Sequence, residues 1–185
     1  MSLPQHLILV CGFARSGKDT FAKGIRARAT DAIRFAYADK LKRALEVAAN
    51  ELGIKVDYND DAEKAIDRPL FVEFGKAMRR RNKQVFARIL ENAIINLRAE
   101  QSIVVTDWRY LNEYEVAKEI CDKWSVKLHT VHVVRHGWKA ANDEEEMNLN
   151  EILAAVPMDE THFATSGDEE SVLLAGIRTA KLWNL

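Results

Sequence analysis

A chain of 185 residues, 48% of them hydrophobic, suits one domain with a sizeable core. Its net charge of −1 offers no basic footprint for nucleic acid. No apolar run approaches the roughly 18 residues of a membrane span, and the first six residues lack the basic start and small-residue cleavage site of a signal peptide.

The first predicted strand is the unbroken apolar run 7–11, as expected of a central parallel strand covered on both faces. It leads into Gly12-Phe13-Ala14-Arg15-Ser16-Gly17-Lys18-Asp19-Thr20, and Phe21, Ile25 and Ala29 then mark a helix. Strand, glycine-rich turn and helix form the context of a phosphate-binding P-loop. Gly12 and Gly17 let the backbone wrap around phosphate oxygens. The loop amides and the helix N-terminus point at the anion, and Lys18 adds a point charge. Asp19 stands where the common pattern has Ser or Thr on magnesium, with Thr20 next; a carboxylate there can hold a Mg²⁺-bound water. Cys11 ends the strand and Cys121 lies in a later apolar pattern, so both read as core residues of a reducing, cytoplasmic setting.

Residues 33–38 alternate and predict a second strand ended by Asp39; Leu41, Ala44, Leu45, Ala48 and Leu52 mark a helix stopped by Gly53. Asp39 thus falls where ligands of open α/β sheets bind, and it serves equally as an N-cap. Residues 54–68 read as a loop or short irregular helix over the sheet edge. Phe71, Phe74 and Met78 share a helical face that ends in Arg79-Arg80-Arg81, and a further helix is expected from about Lys83 to Leu97. Arginines at a helix end meet terminal carbonyls and solvent, or grip a phosphate.

Residues 102–107 form the best strand after the first and end in Asp107. A carboxylate there orients the waters of magnesium or an acceptor oxygen, or forms a turn. Arg109 points into the same crevice. Asn112 and Glu115 predict a capping box for a helix lined by Val116, Ala117, Ile120, Cys121 and Trp124. Residues 128–135 are the fourth strand, with Arg135 at its end and His129 and His132 at its margins; no histidine or cysteine spacing suggests a metal cage. Residues 136–160 hold Asp143-Glu144-Glu145-Glu146 and lack periodicity until Leu149, which predicts a lid or a solvated acidic loop. Residues 161–165 are a short fifth strand, Ser166-Gly167 a turn, and the last helix runs from Asp168 to Leu182. Five strands alternating with helices imply a three-layer α/β domain over 1–185 with a parallel sheet, an insertion at about 54–98 and a short lid at about 136–160.

The loop 12–20 resembles the Gly-Lys-Asp-Thr loop of bacteriophage-type deoxynucleoside monophosphate kinases. Asp107-Trp108-Arg109-Tyr110-Leu111-Asn112-Glu113 is similar to that family's Asp-x-Arg-x-x-x-Glu segment. The Phe74-Gly75 to Arg79 run followed by Phe86 resembles its substrate-binding segment. Ala38-Asp39-Lys40-Leu41-Lys42 matches in part, with Lys40 where relatives often have proline. The resemblance implies the P-loop kinase fold with strand order 2-3-1-4-5. It implies ATP and Mg²⁺ as cofactors and phosphoryl transfer to a (deoxy)nucleoside monophosphate. Gly12, Arg15, Ser16, Gly17, Lys18, Asp19 and Thr20 would hold the ATP phosphates, and Ser166 and Gly167 would lie along the base. Asp19, Thr20 and Asp107 would place the metal, partly through water. Asp39, Lys42, Phe74, Arg79, Arg80 and Arg109 would hold the acceptor, with Lys18, Asp107, Arg109 and Arg135 catalytic. In the lid, Asn148 stands where the family has histidine and Glu151 matches. A kinase of phosphomevalonate or dephospho-coenzyme A type and a non-catalytic ATP-binding switch are the alternatives. Small-molecule nucleotides are the expected partners, in the host cytoplasm if the chain is phage-encoded. The base, the sugar and the oligomeric state, a homodimer included, stay open.

Overall fold

The computed structural model describes residues 6–95, 102–165 and 167–185. Along the chain the elements are β1 (His6–Cys11), α1 (Lys18–Arg28), β2 (Ile33–Phe35), α2 (Tyr37–Glu51), α3 (Asp61–Ile66), α4 (Arg68–Arg81), α5 (Ile89–Ile95), β3 (Ile103–Val105), α6 (Leu111–Trp124), β4 (Lys127–Arg135), α7 (Asp143–Ala155), β5 (Glu160–Ala164) and α8 (Glu169–Leu182). β1 is buried throughout, and its alternate side chains enter different cores. Leu7, Leu9 and Cys11 pack with Phe86, Leu90, Trp108, Val116, Ile120 and Ile152. Ile8 and Val10 pack with Phe21, Ile25, Val131, Val133, Val172 and Ala175. That division explains the unbroken apolar run. β3 and β4 flank β1, Leu9 standing opposite Val105 and Thr130. The sheet order is β2-β3-β1-β4-β5 with every pairing parallel, as the strand–helix alternation and the family resemblance had led one to expect.

On the Ile8 face, α1 and α8 cross at two glycines. A Cβ on Gly24 would meet the Leu173 carbonyl oxygen at 2.1 Å, and one on Gly176 the Phe21 carbonyl oxygen at 2.1 Å. Both helices start at the C-terminal edge of the sheet, so this crossing fixes the separation of their N-termini. α3 and α4 are held differently: α3 buries no residue, and α4 only Gly75.

Several elements depart from the sequence-based expectation. β2 stops at Phe35 and α2 begins at Tyr37, so Asp39 lies in the first turn of a helix and is not its N-cap. The N-cap, Ala36, has no side-chain acceptor; Asp107 serves instead, its two oxygens accepting the amides of Tyr37 (2.9 Å) and Ala38 (2.8 Å). Residues 54–68, read as a loop or short irregular helix, do contain a short helix: Asp60 accepts from the amides of Ala62 and Glu63 and starts α3. α5 begins at Ile89 rather than Lys83, because the Asn82 side chain accepts the Gln84 amide in an Asx turn; Leu97, its expected end, lies outside the described residues. The start of α6 is held by Glu113, which accepts from the amides of Arg109 (2.8 Å) and Tyr110 (3.1 Å). The expected pair is not used: the Asn112 side chain donates to the Lys83 carbonyl. Within 136–160, expected as a lid or a solvated acidic loop, residues 143–155 form helix α7. Asn142 caps it by accepting the Glu145 amide at 2.9 Å, and Asp143 to Glu146 suit the positive end of the helix dipole. Its apolar periodicity is weak because only Leu149 and Ile152 are buried. No described helix is long and apolar enough to cross a membrane.

Candidate active site

The loop between β1 and α1 turns on three residues of positive φ: Gly12 (138°), Arg15 (62°) and Gly17 (103°). Gly12 is dictated by space as well, since a Cβ there would lie 2.3 Å from the Val133 carbonyl oxygen of β4. Lys18, the first residue of α1, is buried, and its ammonium folds back to donate to the carbonyls of Gly12 (2.9 Å) and Phe13 (2.6 Å). Burial first, and then the nearby Arg109 charge, push its pKa down to about 8, against the opposing pull of Glu145 and Asp19. A desolvated ammonium beside another cation favours an incoming anion. The Ser16 hydroxyl is buried in the same loop without a hydrogen-bond partner among the described residues.

A cleft of about 300 Å³ opens between this loop and the start of α8. Arg15, Ser16, Gly17, Lys18, Asp19 and Thr20 line one wall; Thr165, Gly167, Asp168 and Val172 line the other, with Arg135 between them. Gly167 has φ 83° and opens the turn into α8; Ser166 lies outside the described residues. Arg135, at the end of β4, donates to the Arg15 carbonyl at 3.1 Å, and its guanidinium lies 4.5 Å from the ring of Trp138. The Trp138 indole donates to the Ala14 carbonyl at 2.8 Å.

Across the sheet edge the site is built around α4 and the turn after β3. The Arg79 guanidinium lies 4.1 Å from the Tyr110 ring and 4.7 Å from the Phe86 ring. Stacking of this kind fixes the plane of the fork while leaving its edge donors in that plane. The glycine of the Phe74-Gly75 pair makes room for it, since a Cβ on Gly75 would come 3.2 Å from Arg79 Nη1. Phe74 is half-buried on the same helix, whereas Arg80 and Arg81 are exposed. Asp107 is half-buried, and burial pushes its pKa up despite the two amides of α2 that it accepts. Arg109 is exposed and close enough to act electrostatically on both Lys18 and Asp107. Its backbone, not its guanidinium, meets Glu113. Burial drives the pKa of Glu113 up to about 8, which keeps a proton on this carboxyl at neutral pH.

Asp39 is exposed and pairs with Arg34 (2.8 Å) and Lys42 (3.4 Å). Arg34 also reaches Asp19 at 3.5 Å, tying the first turn of α1 to that of α2. No cluster of three potential metal-ligating side chains exists among the described residues. Asp19 and Thr20 on the cleft wall fit an ion that keeps most of its water and leans on phosphate oxygens, as Mg²⁺ does.

The structure thus gathers Lys18, Arg109 and Arg135 around one loop and sets Arg79 in a separate aromatic seat. Sequence reasoning assigned no role to Arg34, Trp138, Glu144 or Glu145, and named Glu113 only as the last residue of the Asp-x-Arg-x-x-x-Glu segment. The capping role of Glu113 could have been found from its spacing, three residues after Tyr110; the others act through contacts between different elements. Glu145 accepts the Ala14 amide at 2.7 Å across 131 residues.

No protein-family model and no curated protein sequence matches the chain. Solved structures are similar to it. The APS kinase of Mycobacterium tuberculosis superposes with a TM-score of 0.50 at 11% identity, covering 98% of this chain and 99% of that one. A sugar kinase of Janibacter sp. gives 0.49 at 14% identity, over 98% of this chain and 95% of the other. A gluconokinase of Sinorhizobium meliloti gives 0.48 at 14% identity, over 97% and 96%. The likeness to the APS kinase, at 11% identity, is one of fold, which here has five parallel strands in the order 2-3-1-4-5.

Proposed function

We propose that this chain is a small-molecule kinase, transferring the terminal phosphate of ATP to a (deoxy)nucleoside monophosphate and releasing ADP and the diphosphate. The observation that supports it most is the pairing along one sheet edge of two cationic seats. One is the buried Lys18 in a turn of positive φ, and the other is the stacked Arg79. An acceptor phosphate oxygen attacks the γ-phosphorus, the bond to the β–γ bridging oxygen breaks, and ADP carries the released charge. No covalent enzyme intermediate is needed, because this reaction is largely positioning and electrostatics. Lys18, with the amides of Gly12 to Thr20, holds the donor phosphates. Gly167 borders the base. Arg109 and Arg135 neutralise charge on the transferred group. Arg79 grips the acceptor phosphate, flanked by Phe74, Asp39 and Lys42, with Arg80 at the rim. Mg²⁺ would rest on Asp19 and Thr20 and, through water, on the lone pairs that Asp107 does not give to α2; it would supply charge neutralisation between the phosphates.

The test is a coupled ADP-release assay across the common deoxy- and ribonucleoside monophosphates, with Lys18→Ala as control. Turnover with one or a few of them, lost in the variant, is the expected result. Turnover only with a sugar, gluconate or adenylyl sulfate would keep the kinase and replace the acceptor. ATP binding with no acceptor-dependent turnover would make the protein a switch.

A further inference from the structure

Glu145 sits where an anion is expected. One carboxylate oxygen accepts the Ala14 amide of the phosphate-binding loop at 2.7 Å, and the other accepts the Ala141 amide at 2.7 Å. Its charge acts on Lys18. The segment before α7 holds the same loop residue from the other side, through the Trp138 indole on the Ala14 carbonyl. The neighbouring Glu144 faces the other seat. It accepts from the Tyr110 hydroxyl at 3.3 Å and pairs with Lys76 at 3.5 Å, and Tyr110 is the ring on which Arg79 lies. Two consecutive residues of one helical turn therefore touch both cationic seats.

We propose that this turn is a substrate-responsive latch. Glu145 holds a phosphate position on the donor loop and must be displaced by the nucleotide, and Glu144 on the same turn transmits that displacement to the acceptor seat. The inference rests on the donor-loop reading given above. A carboxylate and a phosphate are like charges, and two unit charges 4 Å apart repel appreciably even near a surface. They do not share one amide. Expelling Glu145 frees the first turn of α7, which weakens the hold of Glu144 on Tyr110 and Lys76. The second substrate then meets a turn already released. The two substrates accordingly bind with positive coupling, equal in both directions by linkage.

The experiment compares wild type with Glu145→Gln, which removes the charge and keeps the shape, and with Glu145→Asp, which keeps the charge one methylene short of Ala14. Dissociation constants are measured for a non-hydrolysable ATP analogue and for inorganic tripolyphosphate, each with and without a saturating nucleoside monophosphate. Trp138 fluorescence reports release of the loop, with Trp138→Phe to assign the signal. Loss of one charged hydrogen bond from the competing state predicts about 10-fold tighter binding of both probes to either variant. It also predicts a coupling factor that falls toward one in the variants. Circular dichroism melting confirms that each variant is folded. Unchanged affinity and unchanged coupling in folded variants would overturn the latch. Failure of wild type to bind either probe would overturn the donor-loop reading with it. Tighter probe binding without turnover of any acceptor would leave the displacement by nucleotide standing and remove the kinase.

Discussion

Lys18 is expensive for the fold and useful to a ligand. Its folded pKa, about 8, lies below the usual lysine value, so the folded chain releases its proton before the unfolded chain does. The stability linked to such a group is present above the unfolded pKa and is lost as pH falls through about 8. At neutral pH the charged side chain is therefore a net burden, on the order of 1–3 kcal/mol. Lys18→Met should raise the melting temperature at pH 7 by a few degrees while abolishing turnover. A variant that melts lower would assign Lys18 to the packing of the loop. Arg79 makes the complementary case. If Arg79 holds the acceptor phosphate as proposed, its truncation should lower acceptor kcat/KM by about 10–100-fold and change ATP affinity little. Arg79→Lys should recover only a small part, since an ammonium neither stacks on Tyr110 nor forms a fork. Steady-state kinetics with each substrate varied separates the two constants. These residues were legible in the sequence because glycine spacing and a local Phe-Gly-x-x-x-Arg pattern mark them. Glu145 was not, because an acidic residue in an acidic run carries no mark until Ala14 is brought to it.

Among the elements, α1 and α8 depend on the smallest side chains at their crossing. Gly24→Ala would place a methyl group 2.1 Å from a carbonyl oxygen of the opposite backbone, which no rotamer change relieves. The helices must part, at a cost of about 1–3 kcal/mol or more. Because their N-termini form the two walls of the cleft, nucleotide affinity should fall together with stability. Lys23→Ala, exposed on the same helix, should change neither. Denaturant melts and a titration with the ATP analogue test both halves of the expectation. β1, α1 and α8 were readable because periodicity inside each segment specifies them. The start of α2 was not: its cap is Asp107, 69 and 70 residues along the chain from the amides it accepts, and no local pattern reports such a partner. α7 was hidden for the opposite reason, as a helix resting on two buried residues has almost no apolar period.

For the molecule as a whole, acid should weaken the sheet at its base. His6 on β1 and His129 on β4 share a hydrogen bond of 2.9 Å, so one ring donates and the other accepts, and Trp183 stacks on His129 with ring centres 4.1 Å apart. Burial lowers both pKa values, that of His129 to about 4. The folded chain thus binds fewer protons than the unfolded one between about pH 4 and 6.5, and stability falls as pH drops through that window. Melting temperature should decline on acidification from pH 7 to 4.5, and His129→Gln should flatten the decline; an unaltered slope would place the acid sensitivity elsewhere. Strand order was legible because parallel strands with helical crossovers admit few arrangements, whereas the packing depth of each helix was not. That depth has its own consequence. Since α3 buries no residue and α4 only Gly75, the amides of these two helices should exchange with deuterium through openings far cheaper than those that release β1. On the proposed function, the arginine assigned to the acceptor would therefore ride on a part of the chain that can open and be rewritten by mutation while the loop assigned to the donor stays folded. In lineages of this fold, changes of acceptor would accumulate there first.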